Sequence, residues 1–523
     1  MRFQARSSSS GGGASALILL VAQLSNALHL PAPAALHPRQ DLTPLSANST
    51  LLACLQPLGS KVLERETPNF EKNRWAFDYR YTFKPEVVIM ATSTADVQTA
   101  VKCAKASKVA VAPRSGGHSY EGYSIGGQDG SVVIDLSAFS SVVVSGKKAK
   151  VGAGVRLGPL YYELHKQGGW TINAGTCPTV GIGGHVLGGG FGMLGRKYGL
   201  MLDRVVEMEL VNANGDLLTA SASKNGDLFY ALRGAGGGSY GVVTSFTILP
   251  IKPAKKVTSF AYSWNYEELA QVLKAYVTYA NWRDMGLGYS VTADGVGLSG
   301  LFQGPQAQQA AAMAPFLKLV PKPNATDVRE TSNIESVLRF AYMYNDPTDI
   351  EALNMKGSFK PGDSHYTKGK SLVFPSALKN STIALLAKWG DKVPEGSSAN
   401  YILIDRWGGA IEKVPVDATS FVHRNAHTVI QFVTEWDGNP DAVPGTPDCK
   451  ACLDLMNEMY SDFLADYKAN YGPVVHGYQN YIDSEIPNWQ AAYYGSAFSR
   501  LKQIKAKTDP ENVFRFPMSI PLK

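Results

Sequence analysis

A glycine-rich window, Gly168–Gly199, constrains this chain more than any other stretch of its sequence. It reads GGWTINAGTCPTVGIGGHVLGGGFGMLGRKYG and holds twelve of the 51 glycines. Glycine inside a helix or strand costs roughly 0.5–1 kcal/mol relative to alanine, so regular secondary structure does not account for this density. Glycine also lets the backbone approach a flat or anionic ligand closely. We therefore expect this window to form a ligand-contacting loop.

A second loop, Arg114–Tyr120 (RSGGHSY), follows a strand-like run and places two adjacent glycines before His118. Adjacent backbone N–H groups in such a loop can surround an anion such as a pyrophosphate. By itself the pattern leaves His118 open as a ligand, a base or an ordinary turn residue. Neither glycine stretch is the dinucleotide fingerprint, because no strand–GxGxxG–helix is followed by an acid about 20 residues later.

The five cysteines are an odd set, so at least one is expected to stay unpaired. Cys54 and Cys103 flank the first strand-like region and could pair across it. Cys449 and Cys452 form a C-x-x-C, for which a local disulfide is favoured over a redox motif or half a zinc site. No second such motif completes a metal site, so no metal is expected. Cys177 is left inside the glycine-rich window, as a covalent anchor, a small buried residue or a further disulfide partner.

The first residues have the order of a secretory signal peptide, which we predict to span residues 1–27. A basic region precedes the apolar stretch Ala14–Leu24, and small residues follow it. The apolar stretch is shorter than the ~20 residues of a membrane span, so a secreted protein without a membrane anchor is expected. The sequons at Asn48, Asn324 and Asn380 agree with that compartment.

The net charge and the order of the predicted strands and helices give further information on the class of protein. A net charge of +6 over 523 residues, with no basic stripe, does not favour nucleic-acid binding. Up to Pro250, short β-rich runs alternate with helix-like segments, which indicates an α+β or α/β fold. Beyond the Pro250–Lys255 stretch (PIKPAK) the glycine density falls and longer helix-like segments appear, so we predict a domain boundary there.

Two further patterns suggest chemistry. Tyr478 and Tyr481, in the stretch YQNY, are followed by the pair Tyr493–Tyr494, and each buried tyrosine hydroxyl needs a partner. Asp405 ends the otherwise apolar run YILID, and a buried carboxylate is costly unless it is paired. The alternative for each is a satisfied structural polar residue.

Together, RSGGHSY, GTCPTVGIGGHVLGGGFG and the closing YQNYID…NW…YYG resemble the secreted FAD-linked oxidases of the berberine bridge enzyme-like group, in the vanillyl-alcohol oxidase / p-cresol methylhydroxylase superfamily. The resemblance covers nearly the whole mature chain and is greatest to the fungal oligosaccharide oxidases. It implies an α+β fold with a two-part FAD-binding domain and a substrate domain whose antiparallel sheet is backed by helices. The implied borders are 28–254 for the FAD-binding domain, 255–498 for the substrate domain and 499–523 for a segment that returns to the FAD domain.

The resemblance also implies how the cofactor is held. His118 would bind the 8α-methyl group of FAD and Cys177 would bind C6 of the same ring, which would explain the unpaired cysteine. Val180 matches a position where valine goes with access of O2 to the flavin. The remaining implied cofactor contacts are Arg114, Ser115, Gly116, Gly117, Ser119, Gly181, Gly183, Gly184, His185, Gly241 and Val243.

For catalysis, the resemblance implies that Tyr481 is the general base and that Asp405 accepts or shares its phenolic proton. The implied sugar contacts are Tyr120, Tyr401, Gln431 and Tyr478; Tyr401 stands where the family can place a tryptophan. The expected reaction is oxidation of the anomeric C1 hydroxyl of an oligosaccharide by O2, catalysed by a monomer. Three alternatives stay open: an oxidase of a small secondary metabolite, a carbohydrate dehydrogenase with a quinone acceptor, and a protein that stores flavin or binds carbohydrate without turnover.

Overall fold

The computed structural model describes residues 48–74, 76–279, 285–341, 349–355, 366–437 and 449–523. The predicted signal peptide lies outside the described residues. Within these described ranges, the chain forms three sheets of four, five and seven strands. The first two sheets use strands from the first half of the chain and the third uses strands from the second half. Within the described residues, no helix combines the length and apolar character needed to cross a membrane.

The four-stranded sheet has the order β1-β2-β4-β3. Its strands are β1 (Val62–Glu64), β2 (Val87–Met90), β3 (Val111–Arg114) and β4 (Val132–Asp135). Strand β4 pairs in parallel with β2 on one side and β3 on the other, and its four residues are all buried. Parallel strands covered on both faces are typically continuous apolar runs, as are VVIM and the first three residues of VVID. The loop RSGGHSY thus begins at the carboxyl end of β3, where open parallel sheets usually bind ligands.

The five-stranded sheet is antiparallel, with the order β5-β6-β9-β7-β8. Its strands are β5 (Val142–Ser145), β6 (Lys148–Gly152), β7 (Val205–Val211), β8 (Leu217–Ser221) and β9 (Val242–Ile248). The glycine-rich window belongs to the long connection between β6 and β7. In the part of the chain that the structure describes, three helices precede this sheet's first strand, namely α1 (Ser49–Leu55), α2 (Pro68–Arg74) and α3 (Thr94–Ala106). Three more lie in the connection, namely α4 (Leu157–Lys166), α5 (Ile182–Leu187) and α6 (Gly195–Tyr198).

The glycine-rich window therefore contains short helices, although its glycine density predicted a loop without regular secondary structure. Gly183 and Gly184 lie in α5, and Gly195 begins α6. A Cβ at Gly183 would lie 2.9 Å from the Cβ of Ser115 and 3.0 Å from the carbonyl oxygen of Ala153. Close packing against a neighbouring loop thus outweighs the low helix propensity of glycine in this short helix.

The seven-stranded sheet is antiparallel, with the order β13-β10-β12-β11-β15-β16-β14. Its strands are β10 (Val257–Trp264), β11 (Met285–Thr292), β12 (Gly295–Phe302), β13 (Ala325–Thr331), β14 (Tyr366–Phe374), β15 (Ala399–Arg406) and β16 (Thr428–Trp436). The other helices are α7 (Gly226–Ala231), α8 (Leu269–Thr278), α9 (Gln306–Leu317), α10 (Asn333–Ala341), α11 (Asn380–Trp389), α12 (Lys450–Asn470), α13 (Trp489–Tyr494) and α14 (Phe498–Thr508). Helix α12 packs on β16 and α11, and α11 packs on α8. The predicted α+β fold, with an antiparallel sheet backed by helices, is confirmed.

Two disulfides link the predicted pairs, Cys54 to Cys103 and Cys449 to Cys452. The first joins α1 to α3, and the second closes the first turn of α12. Cys177 is the free cysteine of the chain. The odd cysteine is thus the one inside the glycine-rich window.

The end of the chain packs against the four-stranded sheet and the loop before β9. The N–H of Val111 in β3 donates to the carbonyl of Val513 (3.0 Å), and the Tyr240 hydroxyl donates to the carbonyl of Leu501 (2.9 Å). Lys505 of α14 is wholly buried and forms an ion pair with Asp509 (2.6 Å). These contacts agree with a closing segment that returns to the first half of the chain, and the predicted domain borders remain a proposal.

Candidate active site

A cavity of about 500 Å³ lies between the two glycine loops and the open face of the seven-stranded sheet. Its walls bring together residues that are up to several hundred positions apart in sequence. The predicted site residues that line it are Ser115, Gly116, Gly117, His118, Ser119, Tyr120, Cys177, Val180, Gly181, Gly183, Gly184, His185, Gly241, Val243, Tyr401, Asp405, Gln431, Tyr478 and Tyr481.

Arg114 is the predicted site residue that does not line the cavity. It ends β3 opposite Asp135 of β4, and its Nε donates to Oδ2 of Asp135 at 2.6 Å. Both side chains are buried. Arg114 therefore anchors the base of the RSGGHSY loop, and nothing in this geometry supports a direct contact with a cofactor.

The two glycine loops meet backbone to backbone. A Cβ at Gly116 would lie 2.2 Å from the backbone nitrogen of Gly181, and a Cβ at Gly181 would lie 2.1 Å from that of Gly116. Ser115 reinforces the contact, because its Oγ donates to the carbonyl of Ala153 (2.6 Å) and accepts from the N–H of Gly183 (3.3 Å). Only glycine permits this approach, which brings the His118 loop and the Cys177 loop to one cavity.

His118 and Cys177 are the two side chains in these loops suited to covalent attachment. The His118 ring stacks on Phe77, with 4.3 Å between ring centroids and 20° between planes. Cys177 is surrounded by protein atoms, yet its side chain is exposed to the cavity. Burial raises the pKa of the Cys177 thiol, the carboxylate of Glu435 raises it further, and a hydrogen bond with Thr176 partly opposes the shift.

The cavity fits a flat aromatic cofactor such as FAD. A Cβ at Gly184 would meet no atom within 4 Å, so the wall is open there. The glycine backbone gives close approach and N–H donors, and a free thiol and an imidazole border the same space. His185 adds an uncharged ring, because burial lowers its pKa to about 4 and its Nε2 accepts from the N–H of Gly175 (3.1 Å).

Asp405 projects from β15 into the other side of the cavity. It lies opposite Gly288 of β11, where a Cβ would be 3.2 Å from Oδ1 of Asp405. The missing side chain at Gly288 leaves room for the carboxyl. Burial raises the pKa of Asp405 to about 7, so its two protonation states are both populated near neutral pH.

Tyr481 reaches the same cavity from the segment after α12. Its ring packs edge-on against Tyr478 (5.0 Å between centroids) and Phe191 (6.2 Å). Burial raises the pKa of Tyr481 above its usual value, and the negative charge of Asp405 adds to the shift. No hydrogen bond joins the hydroxyl of Tyr481 to the carboxyl of Asp405 within the described residues. Catalytic hydrogen bonds often form only once substrate is bound.

Tyr478 supports Tyr481 from behind. Its hydroxyl accepts from the N–H of Gly190 (3.0 Å) and from Nδ2 of Asn480 (2.8 Å), so the glycine window and the tyrosine segment are joined directly. Its ring contacts Trp407 at 5.5 Å between centroids. Tyr478 is almost completely buried, so its ring forms part of the cavity wall while its hydroxyl has a structural role.

The remaining predicted sugar contacts form two hydrogen-bonded pairs. Nε2 of Gln431 donates to the Tyr120 hydroxyl (2.9 Å), and the Tyr401 hydroxyl donates to Oε1 of Glu435 (3.3 Å). The predicted site residues did not include Glu435, although the run from Thr428 to Glu435 predicts a strand. Glu435 could have been identified by the same signal as Asp405, because it is also an acid within an apolar strand (TVIQFVTEW).

Other residues of the wall also escaped prediction. Phe191 and Arg196 belong to the glycine-rich window and Asn480 to the stretch YQNY, whereas Gly236, Gly237, Gly238 and Phe516 come from segments that no site prediction singled out. The triplet Gly236–Gly238 repeats the glycine signal of the main window and could have been identified from it. Phe516, in contrast, reaches the cavity only because the closing segment packs beside β3.

Comparison with known proteins identifies the family of this chain. Residues 85–221 match a family model described as an FAD binding domain, and residues 477–521 match one described as berberine and berberine like. A carbohydrate oxidase from Microdochium nivale is 30% identical over 494 residues, which span 91% of this chain and 96% of that protein.

Solved structures give the same result. BBE-like 1 from Physcomitrella patens is 36% identical, with a TM-score of 0.82 over 91% of this chain and 100% of that chain. The glucooligosaccharide oxidase of Acremonium strictum, whose FAD is a 6-S-cysteinyl, 8α-N1-histidyl derivative, is 26% identical, with a TM-score of 0.81 over 91% and 99% of the two chains. The glycine cradle, the family models and these full-length similarities lead to one conclusion: the chain belongs to the berberine bridge enzyme-like family of FAD-linked oxidoreductases.

Proposed function

We propose that this protein is a secreted flavoprotein oxidase that converts the anomeric C1 hydroxyl of oligosaccharides to a lactone and reduces O2 to H2O2. The observation that carries the proposal is the pairing, across one cavity, of Asp405 and Tyr481 with His118 and Cys177. The similarity to a carbohydrate oxidase and a glucooligosaccharide oxidase supports the substrate class.

We infer that FAD is attached at two points, His118 at the 8α-methyl group and Cys177 at C6. The cysteinyl and histidyl linkages named for the Acremonium strictum enzyme support this assignment. The bound flavin would take two electrons and a proton from the substrate and pass them to O2. The backbone of the loops around Gly116 and Gly181 would hold the cofactor, because these glycines leave no side chain between backbone and ligand.

Tyr481 would accept the proton of the C1 hydroxyl while the C1 hydrogen leaves as hydride. A phenol can act in this way only if its own proton moves on, because its pKa lies above the usual value. Asp405, with a pKa near 7, is the acceptor with the right acidity on the same wall. Overall, the hemiacetal loses two hydrogens, a C1=O bond forms, and O2 gains two electrons and two protons.

The sugar would lie along the face that presents Tyr120, Gln431 and Tyr401. Aromatic faces stack against the C–H surfaces of pyranose rings, and the amide of Gln431 is placed to bond a ring hydroxyl. The hydrogen bond between Gln431 and Tyr120 holds both groups in a fixed orientation before substrate arrives. Tyr401 would supply a smaller platform than a tryptophan at the same position.

The test is a hydrogen peroxide assay on the purified holoenzyme against mono- and oligosaccharides, alcohols and aromatic alcohols. Oligosaccharide-dependent O2 uptake with equal H2O2 release, and a lactone or aldonic acid product, is the expected result. Oxidation of aromatic alcohols alone would instead favour the secondary-metabolite oxidase. Reduction of a quinone dye without O2 uptake would favour the dehydrogenase, and the absence of turnover with every donor and acceptor would favour the storage protein.

A further inference from the structure

Glu435 is a carboxyl in the cavity wall that the proposed reaction does not use. It lies in β16, whose nine residues are all buried, and its own residue is 6% exposed. Among the described residues, no lysine or arginine forms an ion pair with it. Its hydrogen-bond partner is the Tyr401 hydroxyl, at 3.3 Å. A buried carboxyl without a cation is costly unless other groups donate to it, and one oxygen of Glu435 is open to such a donor.

Strand register places Glu435 far from Asp405 but on the same face of the sheet. Asp405 pairs with Val429, and Glu435 pairs with Ala399 at the other end of the β15–β16 ladder. The two ends are separated by six strand residues, roughly 20 Å at 3.3–3.4 Å per residue. Tyr401 lies between them on the cavity face. A substrate whose C1 lies at Asp405 reaches Glu435 only with a unit beyond its first ring.

The two ends of this face differ in charge. Arg196 and Arg406 line the cavity toward Asp405. The charged groups that act on Glu435 are carboxyls instead, namely the wholly buried Asp78 and the neighbouring Asp437. Arg80 interacts with Asp78 and donates to the carbonyl of Thr367 (3.3 Å), and it does not line the cavity. The other titratable groups that interact with Glu435 are Tyr120, Tyr401 and Cys177, none of which is a cation.

We propose that Glu435 and Tyr401 form a remote subsite that accepts uncharged or amine-bearing sugar units and rejects units that carry a carboxylate. This inference rests on the proposed oligosaccharide oxidation. A hydroxyl or ammonium group can donate to Oε2 of Glu435 while Tyr401 occupies Oε1. A uronic acid would bring a second carboxylate to a part of the cavity wall where, among the described residues, no lysine or arginine lies. Such like-charge contacts discriminate strongly between partners.

The charge of the subsite should change with pH. Burial and the charges of Asp78 and Asp437 raise the pKa of Glu435 to about 8, although its hydrogen bond with Tyr401 partly opposes the shift. Glu435 is then mostly protonated at pH 6 and mostly ionised at pH 9. Rejection of anionic units should be weak at the lower pH and strong at the higher one. The titration of Asp405 and Tyr481 affects all substrates alike and cancels in a ratio of two substrates.

The experiment compares kcat/KM of the holoenzyme for three matched oligosaccharides, with a neutral, an amino and a uronic unit at the end remote from C1. The variants are Glu435→Gln and, as a control of the same kind, Glu458→Gln on the exposed side of α12. Glutamine keeps an acceptor for Tyr401, so the fold should be retained. We expect the wild type and Glu458→Gln to prefer the neutral over the uronic sugar by about tenfold or more at pH 9. In Glu435→Gln this preference should fall to about threefold or less, and the change should appear in KM.

The preference of the wild type should also rise between pH 6 and pH 9. That of Glu435→Gln should rise much less, because Asp78, whose pKa burial raises to about 7, is then the remaining acid beside the subsite that ionises in this range. If Glu435→Gln does not fold, the pH series of the wild type still tests the inference. Equal preferences in wild type and Glu435→Gln, or a wild-type preference that does not change with pH, would overturn the inference and leave the proposed function intact. Failure of the wild type to oxidise any sugar would overturn both.

Discussion

At the scale of single residues, Asp405 shows how the sheet shapes chemistry. Its carboxyl faces the cavity because it shares a side of β15 with Leu403 and Tyr401. Its partner on the neighbouring strand β11 is Gly288, which has no side chain. The carboxyl of Asp405 therefore has space at this position but little contact with water. Burial is the one cause of the raised pKa of Asp405. Its pKa is thus set differently from that of an acid whose pKa is shifted by a nearby charge.

Replacing Asp405 should remove the pH dependence of the proton transfer. In the wild type the rate of flavin reduction should rise with pH up to about 7, because the carboxyl must be ionised to accept a proton and its pKa is about 7. In Asp405→Asn the rate should fall by roughly 10²–10⁴ and lose that dependence. Anaerobic stopped-flow from pH 5 to 9 measures both. Asp391→Asn, at an exposed position, is the control, and an unchanged pH profile in Asp405→Asn would contradict the assignment.

The two attachment residues can be tested separately. Cys177→Ala and His118→Ala should each retain the flavin after denaturation in guanidinium chloride, since one bond to the ring survives. The double variant should release it into the filtrate. The flavin absorbance of the protein and of the filtrate measures how much flavin stays attached and how much is released. If both single variants release flavin as readily as the double variant, two independent links do not exist.

At the scale of elements, the site depends on contacts between segments that are distant in the chain. One is a buried ion cluster in which Nζ of Lys368 contacts Oδ1 of Asp483 (2.7 Å) and Oε1 of Glu121 (3.0 Å). Burial by itself would lower the pKa of Lys368, but these carboxylates outweigh it and raise the pKa. Asp483 follows Tyr481 by two residues and Glu121 follows Tyr120, so the cluster fixes both tyrosines relative to β14.

Removing the cation should destabilise the protein and loosen the site. Lys368→Met leaves the buried Glu121 without its cation, while Asp483 keeps its ion pair with Lys370 (3.2 Å). Removing one partner of a buried ion pair typically costs about 3–5 kcal/mol. The exposed pair of Lys388 and Asp462 is the reference, because Lys388→Met should cost at most about 1 kcal/mol. Thermal unfolding of the two variants, followed by circular dichroism, compares them. Equal midpoints would show that the cluster contributes no more than a surface pair.

The contact between the glycine loops should tolerate no side chain. In Gly116→Ala the new methyl group would lie 2.2 Å from the backbone nitrogen of Gly181, so one loop must move. We expect loss of most of the bound flavin, measured as the ratio of flavin to protein absorbance. Gly226→Ala at the start of α7, where a Cβ meets no atom within 4 Å, should load normally. Full flavin content in Gly116→Ala would mean that the loops separate freely.

At the scale of the whole molecule, the cavity is assembled from both halves of the chain and from its last segment. The glycine loops belong to the first half, Asp405 and Gln431 to the seven-stranded sheet, and Phe516 to the closing segment. A ligand that fills the cavity therefore touches all three parts and should stabilise them together.

Cofactor binding should consequently raise the stability of the whole fold. The His118→Ala, Cys177→Ala double variant, stripped of flavin, should unfold at a lower temperature than the same protein with excess FAD. At 100 times the dissociation constant the gain is about 2.7 kcal/mol. Scanning calorimetry over a series of FAD concentrations measures it, with AMP at the same concentrations as a control. An unfolding temperature that does not depend on FAD would contradict a cavity shared by the three parts.

Local patterns predicted many elements well. The run VVEMELV predicts β7 at Val205–Val211, and the acid-containing runs around Asp405 and Glu435 predict β15 and β16 to within two residues. In contrast, no strand was expected at β11 or β12, whose sequences MGLGYSVT and GVGLSGLF carry glycine and serine throughout. These glycines are explained by contacts, since a Cβ at Gly286 would lie 2.0 Å from the carbonyl oxygen of Met193.

By itself the sequence determined where glycine must replace side chains, which cysteine stays free and which strands carry buried acids, because these depend on residue type and local pattern. Only the tertiary structure decided that the two glycine loops touch, that Arg114 pairs with Asp135 instead of lining the cavity, and that Asp405 and Glu435 lie at opposite ends of one sheet face. The physical reason is that close packing, strand register and burial are set by partners distant in the chain.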